Sequence, residues 1–481
     1  MDKIETEREP DTGEIEIKES IPTKQKVAFG IVGMSVSMLS NIGLGSAITF
    51  FYNIKMSLSE ELTSLAWIIF MVWNAVNDPL FGILEEKTST KIGRRIPYIR
   101  YGSPFFALTF IFCWFPIVDG QIGLFFNLLL VLFLFDSTFT MIGLITYTLP
   151  AEMSITQEGR TEISKFNIIF SAIGMLIAMV IPMVLLTGED TDELHPAFRP
   201  AMIILGIIAC VLMYIFSYRL TENKYAAHEE TLGFIDSIKE TFKNKAFLIF
   251  EANNFFYQIA WTILTSSMTY YVQYVMGMTG FMASLPLLVV FLMVFIFIIP
   301  FSNSVGKHGL KKVYIYGLGF AAASFIVLFA AQRNEIFIFI GLALIGIGFA
   351  PLNLTTGPLM QDVIDYDEVL TGKRRETTYA GMNALIVKPS ISIGNAVFLL
   401  TIKAFGFDNE ITTQSPTAQF GIILAYTIIP CAMLLIASIA IRSFPLEGKK
   451  WQKQKARLSE IHEKKEKEFI MKLKEEHPDA I

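Results

Sequence analysis

Long apolar stretches alternate with short polar ones along almost the whole chain. Twelve of these stretches contain few charged residues, and a helix of about 20 apolar residues crosses a hydrocarbon core of roughly 30 Å. They cover residues 27–52, 62–84, 101–118, 122–149, 166–187, 199–220, 246–275, 281–303, 312–331, 336–360, 379–405 and 418–442. A soluble protein can bury one such helix, but twelve predict an all-α membrane protein.

The composition agrees with lipid as the main solvent. Of the 481 residues, 53% are hydrophobic and only 17% are charged, which is more apolar than an ordinary soluble domain. The three cysteines, Cys113, Cys210 and Cys431, fall inside apolar stretches without any CxxC or Cys/His pattern. We therefore expect neither a disulfide framework nor a metal site. The sequence contains no P-loop for ATP, so we expect an ion gradient or the gradient of the solute itself to supply the energy.

The apolar stretches fall into two sets of six. The longest internal polar segment, 223–245, leaves six stretches on each side. The two sets also echo each other, because GRRIPY after the second stretch matches GLKKVY after the eighth, and PAEMSITQEGRTE after the fourth matches LMQDVIDYDEVLTGKRRE after the tenth. This organisation predicts twelve transmembrane helices in two six-helix pseudo-repeat halves, residues 25–222 and 246–444, as in the major facilitator fold.

Basic residues predict the orientation in the membrane. They concentrate in alternate loops, which contain Lys87, Lys91, Arg94, Arg95, Arg100, Arg160, Lys165, Lys224, Lys239, Lys243, Lys245, Lys307, Lys311, Lys312, Lys373, Arg374 and Arg375. Lysine and arginine favour the cytoplasmic face. We therefore expect a multi-pass protein of the plasma membrane with an N-terminal tail (1–24), a linker (223–245) and a charged C-terminal tail (445–481) in the cytoplasm.

Polar residues inside two apolar stretches are the first candidates for a functional site. Asn74, Asn77 and Asp78 are spaced i, i+3 and i+4, so they share one face of a helix. Lys388 is an isolated cation about 18 Å along a helix from the nearest loop. A charge at membrane depth costs roughly 2.5–3.5 kcal/mol, which favours a functional partner such as Asp78. A purely structural network, or a lysine that extends to the interface, is the alternative.

Charged residues at the predicted cytoplasmic helix ends suggest a gate. Acidic residues at the end of the tenth stretch precede a basic loop, and pairs of this kind can break and re-form as two halves rock. The residues predicted to form this gate are Arg94, Arg95, Glu152, Arg160, Asp362, Asp365 and Arg375.

Several of these motifs occur together in one known family. DPLFG with IGRRIPY, PAEM with GRT, and DVIDYDE with TGKRRE and a later lysine resemble the glycoside-pentoside-hexuronide:cation symporter family, which includes the melibiose permeases. The resemblance implies a cation site formed by Asn77, Asp78 and Thr140 with Lys388 close by. Sodium-coupled members carry a second aspartate where this chain has Asn74. Because the amide lacks that charge, Na⁺ should bind less tightly, whereas Asp78 can still take a proton. We therefore expect H⁺ or Na⁺ as the coupling ion and favour H⁺.

The expected solute site departs further from the family pattern. Galactoside carriers of the family use an Asp on helix one, an Asp on helix four and an Arg on helix five, whereas this chain has Ser37, Gly143 and Asn167. Other polar and aromatic residues in the apolar stretches are the substitutes that we expect to bind the solute, although each can equally serve in helix packing. These candidates are Asp136, Tyr147, Asn253, Tyr257, Gln258 and Asn383.

The sequence thus predicts a cation-coupled symporter of a sugar, glycoside or related small organic solute, working by alternating access. An uncoupled facilitator and a symporter of lysophospholipids or other amphipathic solutes remain alternatives. A non-transporting sensor fits less well. A membrane enzyme also fits less well. The residues Asp362, Asp365 and Asp367 resemble an acidic cluster that binds Mg²⁺ and a diphosphate, but the second acidic cluster that such enzymes need is missing from the sequence. We expect a monomer that binds its solute and the lipid bilayer, without nucleic acid and without a cofactor beyond the coupling ion.

Overall fold

The computed structural model describes residues 3–8, 15–188, 193–223 and 234–476. Its helices, in chain order, are α1 (Thr23–Gly43), α2 (Ser46–Phe50), α3 (Glu60–Lys87), α4 (Ile96–Phe112), α5 (Gln121–Met153), α6 (Gln157–Leu186), α7 (Phe198–Ser217), α8 (Phe234–Thr241), α9 (Lys245–Ser266), α10 (Met268–Tyr271), α11 (Gly280–His308), α12 (Leu310–Ala331), α13 (Glu335–Thr371), α14 (Glu376–Ala404), α15 (Pro416–Ile441) and α16 (Gly448–Glu476). Two short π-helical segments follow α2 and α10, at Phe51–Lys55 and Val272–Met276.

Each predicted apolar stretch corresponds to one helical segment of the structure, with α1–α2 and α9–α10 each forming one segment with its π turn. Within the described residues, ten of the segments are long and apolar enough to cross a membrane. The two others are α4, with 17 residues, and the α9 segment, which carries Glu251 and several amide side chains. The architecture is that of an all-α membrane protein.

The two halves of the chain repeat one another in structure. The first helix of each half is interrupted in the same way, by a short helix followed by a π-helical turn. Glu222 and Glu447, which follow the sixth helix of each half, also occupy matching places. Glu222 accepts hydrogen bonds from the backbone N–H groups of Arg94, Arg95 and Ile96, where α4 begins. Glu447 pairs with Lys311 at the start of α12. These shared features support the pseudo-repeat inferred from GRRIPY and GLKKVY.

Polar residues in the short connections start many of the long helices. Side-chain oxygens accept hydrogen bonds from backbone N–H groups of the first turn, which would otherwise lack partners. The capping residues are Ser59 for α3, Thr156 for α6, Asn244 for α9, Asn334 for α13 and Ser415 for α15. Small residues then allow close packing, as where Gly174 of α6 lies against the backbone of Met34 in α1.

Both tails contain regular structure. The Lys- and Glu-rich C-terminal segment suits an exposed or surface-lying helix, whereas the strands of the N-terminal tail were not predicted. Lys3–Arg8 and Ile15–Ser20 form antiparallel strands, in which Lys3 pairs with Ser20 and Arg8 with Ile15. Charged residues alternate with isoleucine or threonine in these strands, which is the two-residue period of a β-strand. The C-terminal segment forms α16, which packs on the end of α13. Part of the 223–245 linker lies outside the described residues, and α8 follows it.

The halves meet closely on one side of the molecule and diverge on the other. We call the side with both tails, α8 and α16 the tail side, and the opposite side the far side. On the far side, the Asn409 amide donates to the backbone carbonyls of Asn53 (2.9 Å) and Leu58 (3.1 Å), and Lys403 pairs with buried Glu60 at 3.2 Å. The hydroxyl of Tyr270 also donates to the Asn53 side chain at 2.9 Å. These contacts all join one half to the other.

Candidate functional site

A cavity of about 870 Å³ lies between the two halves and is lined by residues of both. Residues at its tail-side end include Arg94, Glu152 and Arg160, and its inner end is lined by Asp78 and Lys388. Contacts between the halves close the far side, and the gate residues line the opposite end, so the cavity opens towards the tail side. A volume of this size falls within the roughly 300–1,000 Å³ typical of small-molecule sites.

Lys388 joins the halves at the inner end of the cavity. Its ammonium group pairs with Asp78 of α3, and also donates to the amide oxygen of Asn77 at 3.2 Å and to the Thr140 hydroxyl at 3.1 Å. The Asn77 amide nitrogen donates in turn to Thr140 at 2.9 Å. The structure thus brings together Asn77, Asp78, Thr140 and Lys388, which the sequence assigned to cation binding and coupling.

Asp136 belongs to the same network and not to the cavity wall. Its side chain is fully buried in the middle of α5, and one carboxylate oxygen accepts a hydrogen bond from the Asn77 amide. The other oxygen has no hydrogen-bond partner among the described residues. Asn74, one turn before Asp78 on α3, is also buried, and its amide oxygen likewise has no partner there. Asp136 was expected to contact the solute, but its surroundings are those of the expected cation site.

Two of the other solute candidates face the cavity. Tyr147 of α5 and Asn383 of α14 both line it, one from each half. The side-chain oxygen of Asn383 accepts a hydrogen bond from the Asn254 amide at 2.8 Å, so α9 holds this side chain in place. A tyrosine and an amide on opposite walls provide both an aromatic face and hydrogen-bonding groups for a polar solute.

The remaining candidates lie within the helix bundle of the second half. Asn253 is fully buried and hydrogen-bonds to the Tyr314 hydroxyl at 2.9 Å. Tyr257 is buried with its ring centroid 5.9 Å from that of Phe349. Gln258 is half-buried on the same helix. None of the three is among the described residues that line the cavity, and the contacts of Asn253 and Tyr257 are those of helix packing.

The gate residues of the first half pair with one another. Arg94 and Arg95 both bind the carboxylate of Glu152 at the end of α5, the second at 2.6 Å. Arg160 donates from its guanidinium to the Ser154 carbonyl at 3.0 Å. These bonds hold the α3–α4 and α5–α6 connections together within one half.

The gate residues of the second half are also paired within that half. Their described ion pairs are Lys455–Asp362 at 2.5 Å, Arg374–Asp365 at 3.1 Å, Arg375–Asp367 at 2.9 Å and Arg375–Glu240 of α8 at 3.6 Å. No ion pair among these described residues joins the two halves on the tail side. This arrangement agrees with a gate that is open on the tail side.

Three contributors to this region were missed from the sequence. Glu222 anchors the start of α4, while Lys455 and His462 of α16 bind Asp362 and Glu368 at 2.5 and 2.8 Å. Their positions in polar tails and linkers gave no periodic signal. The match between the residues after the sixth helix of each half could have identified Glu222.

Comparison with known proteins gives the family. A family model described as MFS/sugar transport protein matches residues 29–448. The chain belongs to this family. The family and the structural neighbours are transporters, so the protein is a multi-span secondary transporter and not an enzyme.

Relatives of this transporter differ in their solutes. It is 24% identical to the uncharacterized symporter YnaJ of Bacillus subtilis (84% of this chain and 88% of that one) and 21% identical to the isoprimeverose transporter of Lactiplantibacillus pentosus (89% and 90%). It is 20% identical to the sodium-dependent lysophosphatidylcholine symporter 1 of Xenopus tropicalis, covering 93% of this chain and 91% of that one.

Solved structures agree on the fold. A crystal structure of the nucleoside transporter NupG (D323A mutant) superposes with a TM-score of 0.63 at 15% identity, covering 87% of this chain and 99% of that one. A D-xylose-proton symporter gives a TM-score of 0.62 at 15% identity, with 88% and 97% coverage. At this identity the likeness concerns the fold alone.

Proposed function

We propose that this transporter carries out cation-coupled symport of a sugar, glycoside or related small organic solute by alternating access. The observation that carries the proposal is the bond between Lys388 of one half and Asp78 of the other at the inner end of the cavity. A cation or proton that binds in the network around this pair changes how Lys388 is held and so alters a contact between the halves. Binding is thereby linked to their relative movement.

The coupling ion is H⁺ or Na⁺. Asn77, Asp78 and Thr140 supply oxygen ligands of the kind that hard cations prefer, and a carboxylate of the same network can alternatively take a proton. By the distribution of basic residues, the tail side faces the cytoplasm and the protein lies in the plasma membrane.

Polar and charged side chains at both ends of the cavity support a polar solute. The tail-side part of the cavity is lined by Arg94, Glu152 and Arg160. Deeper inside, Tyr147 lines it from the first half and Asn383 from the second. Hydroxyl groups of a sugar can bond to these side chains and stack on the tyrosine ring. Because one relative is a lysophosphatidylcholine symporter, the test also includes amphipathic solutes as the competing class.

The proposal can be tested in two steps. The melting temperature of the purified protein is first recorded with sugars, glycosides, glucuronides and lysolipids, because binding to the folded state raises apparent stability. The stabilising solute is then followed into proteoliposomes with and without an imposed Na⁺ or H⁺ gradient. We expect accumulation only with a gradient, and its loss in Asp78→Asn.

The matched control is Asp119→Asn, which makes the same change at an exposed residue before α5. It should accumulate the solute like the unmodified protein. If the solute merely equilibrates under every gradient, the protein is a facilitator. If only lysolipids stabilise it, the solute class is wrong.

A further inference from the structure

The buried network around Lys388 contains more negative than positive charge. Its ionisable members among the described residues are Asp78, Asp136 and Lys388. A lysine ammonium has three hydrogen-bond donors. In this structure they go to Asp78, Asn77 and Thr140, so none is left for Asp136.

No other helix that packs against α5 supplies the missing positive charge. The segments that face its buried part, 27–43 in α1, 101–112 in α4 and 166–186 in α6, contain no Lys, Arg, His, Asp or Glu. Asp78 on α3 and Lys388 on α14 are therefore the charged groups facing Asp136. An ionised carboxylate at this depth, bonded only to a neutral amide, is strongly unfavourable.

We propose that Asp136 is the carboxylate that accepts the charge of the coupling cation. This inference rests on the proposed symport and assigns its ion site. One monovalent cation, either a proton on the free oxygen of Asp136 or a Na⁺ ion beside it, brings the network to neutrality. For a proton the step is simple, because the carboxylate becomes a carboxylic acid and the proton comes from water of the cavity. Lys388 remains the partner of Asp78 throughout.

Asn77 connects the charge of Asp136 to the contact between the halves. Its amide nitrogen donates to both Asp136 and Thr140, while its oxygen accepts from Lys388. Neutralising Asp136 weakens the hydrogen bond from the Asn77 amide to Asp136, and this changes the position of the Asn77 oxygen that accepts from Lys388. The cation thus acts on the link between α3 and α14 without itself entering the part of the cavity that holds the solute.

The test uses the cations themselves as probes and needs no identified solute. Melting temperatures are recorded in detergent with NaCl against choline chloride at equal ionic strength, and over a series of pH values. We expect the unmodified protein to be stabilised by Na⁺ or by protons. The pH series is recorded in a Glu85→Gln background, because Glu85 is another buried carboxyl of the first half with an oxygen that lacks a partner among the described residues. Asp136→Asn should lose the response to Na⁺, or to protons in that background. It should also be at least as stable as its parent protein without the cation, because an unpaired buried charge is gone.

Glu251→Gln is the matched control. Glu251 is a second buried carboxyl, in the other half, and both of its oxygens lack a hydrogen-bond partner among the described residues. This variant should keep the full Na⁺ response. In the pH series it should remove only the contribution of its own buried carboxyl and leave that of Asp136 in place. A second variant, Asn74→Asp with Asp136→Asn, returns a carboxylate to the buried face of α3 and should restore the response.

Three results would overturn the assignment: Asp136→Asn keeps the cation response, Glu251→Gln removes it, or neither Na⁺ nor protons stabilise the unmodified protein. Transport separates this failure from failure of the proposed function. If Asp136→Asn still accumulates the solute under a gradient, the symporter stands and only the role of Asp136 falls. If the unmodified protein never accumulates it, coupled symport itself is wrong.

Discussion

Glu85 combines burial with an incomplete set of hydrogen bonds near the tail-side gate. It follows Leu84, the last residue of the apolar stretch 62–84, and its Oε1 atom has no partner among the described residues. Burial raises the pKa of the carboxyl from its ordinary value of 4.5 to about 8, against the opposing effect of Arg95. The folded protein therefore holds a proton that the unfolded chain releases, and its stability should fall as pH rises from about 4.5 to 8.

Glu85→Gln should remove this contribution. We expect the variant to melt at a higher temperature than the unmodified protein at alkaline pH, and the difference to shrink towards acidic pH, where both side chains are neutral. Thermal unfolding over a pH series measures this. Glu158→Gln, the same change at an exposed residue in the first turn of α6, should leave the pH profile unchanged. Parallel profiles for Glu85→Gln and the unmodified protein would rule out a neutral buried carboxyl.

At this scale, isolated charges were the most informative part of the sequence. Lys388 and Asp78 stand in otherwise apolar helices, and the cost of burying either charge alone predicted the pair that the structure forms. Amide and tyrosine side chains were less predictable, as Asn253 and Tyr257 illustrate, because they satisfy helix packing as well as ligand binding. The place of Asp136 depends on the rotation of α5 against α3, which no spacing along one helix determines.

Among the elements, the apolar stretches were predicted well and the tails poorly. A helix that faces lipid must be long and apolar, so its position is written directly in the sequence. The π-helical turns at Phe51–Lys55 and Val272–Met276 were not predicted, because they keep the same apolar composition as the helices they end. The charge-rich sequence of α16 suited an exposed helix or solvated tail, and its docking on α13 was not predicted. Its few anchoring residues, such as Trp451 beside Tyr366, become evident only against the end of α13.

α16 is held by ion pairs to α13, and Lys455 is the contact that is easiest to remove. Lys455 binds Asp362, which is almost fully buried, whereas the lysine itself is 43% exposed. Because solvent screens an exposed partner, we expect Lys455→Ala to weaken the docking of α16 by only about 1 kcal/mol. Amide hydrogen exchange should become faster in α16 and stay unchanged in the membrane helices. Lys453→Ala, an exposed lysine two residues earlier on the same helix, is the control. Equal exchange in both variants would mean that the pair does not anchor α16.

For the whole molecule, the far-side contacts and the Lys388–Asp78 pair keep the two halves in one arrangement. Alternating access requires the opposite arrangement as well, in which the tail side closes and the far side opens. The charged residues of the gate are already ordered within each half, so closing the tail side brings together two preformed surfaces. The ratio of the two states then depends on the free energy that the far-side contacts contribute to the tail-side-open state.

Asn409 is the residue through which that ratio can be shifted. Its amide makes two hydrogen bonds across the halves, to the carbonyls of Asn53 and Leu58. Each such bond contributes about 1 kcal/mol, and 1.4 kcal/mol changes a population ratio tenfold. Asn409→Ala should therefore raise the population of the far-side-open state by roughly tenfold or more. Spin labels report this as a longer distance between positions 119 and 410 and a shorter one between positions 91 and 371.

Gln121→Ala separates this effect from a general loosening of the far side. Gln121 also makes two hydrogen bonds there, to Ser59 and Ser57, but both lie within its own half. The variant loses two hydrogen bonds that are present in both conformational states. Their loss therefore does not change the relative free energy of the states, and both label distances should stay unchanged. If Asn409→Ala behaves in the same way, the contacts between the halves on the far side do not set the conformational equilibrium. The Lys388–Asp78 pair would then have to set it alone, and Lys388→Met should open the far side where Asn409→Ala does not.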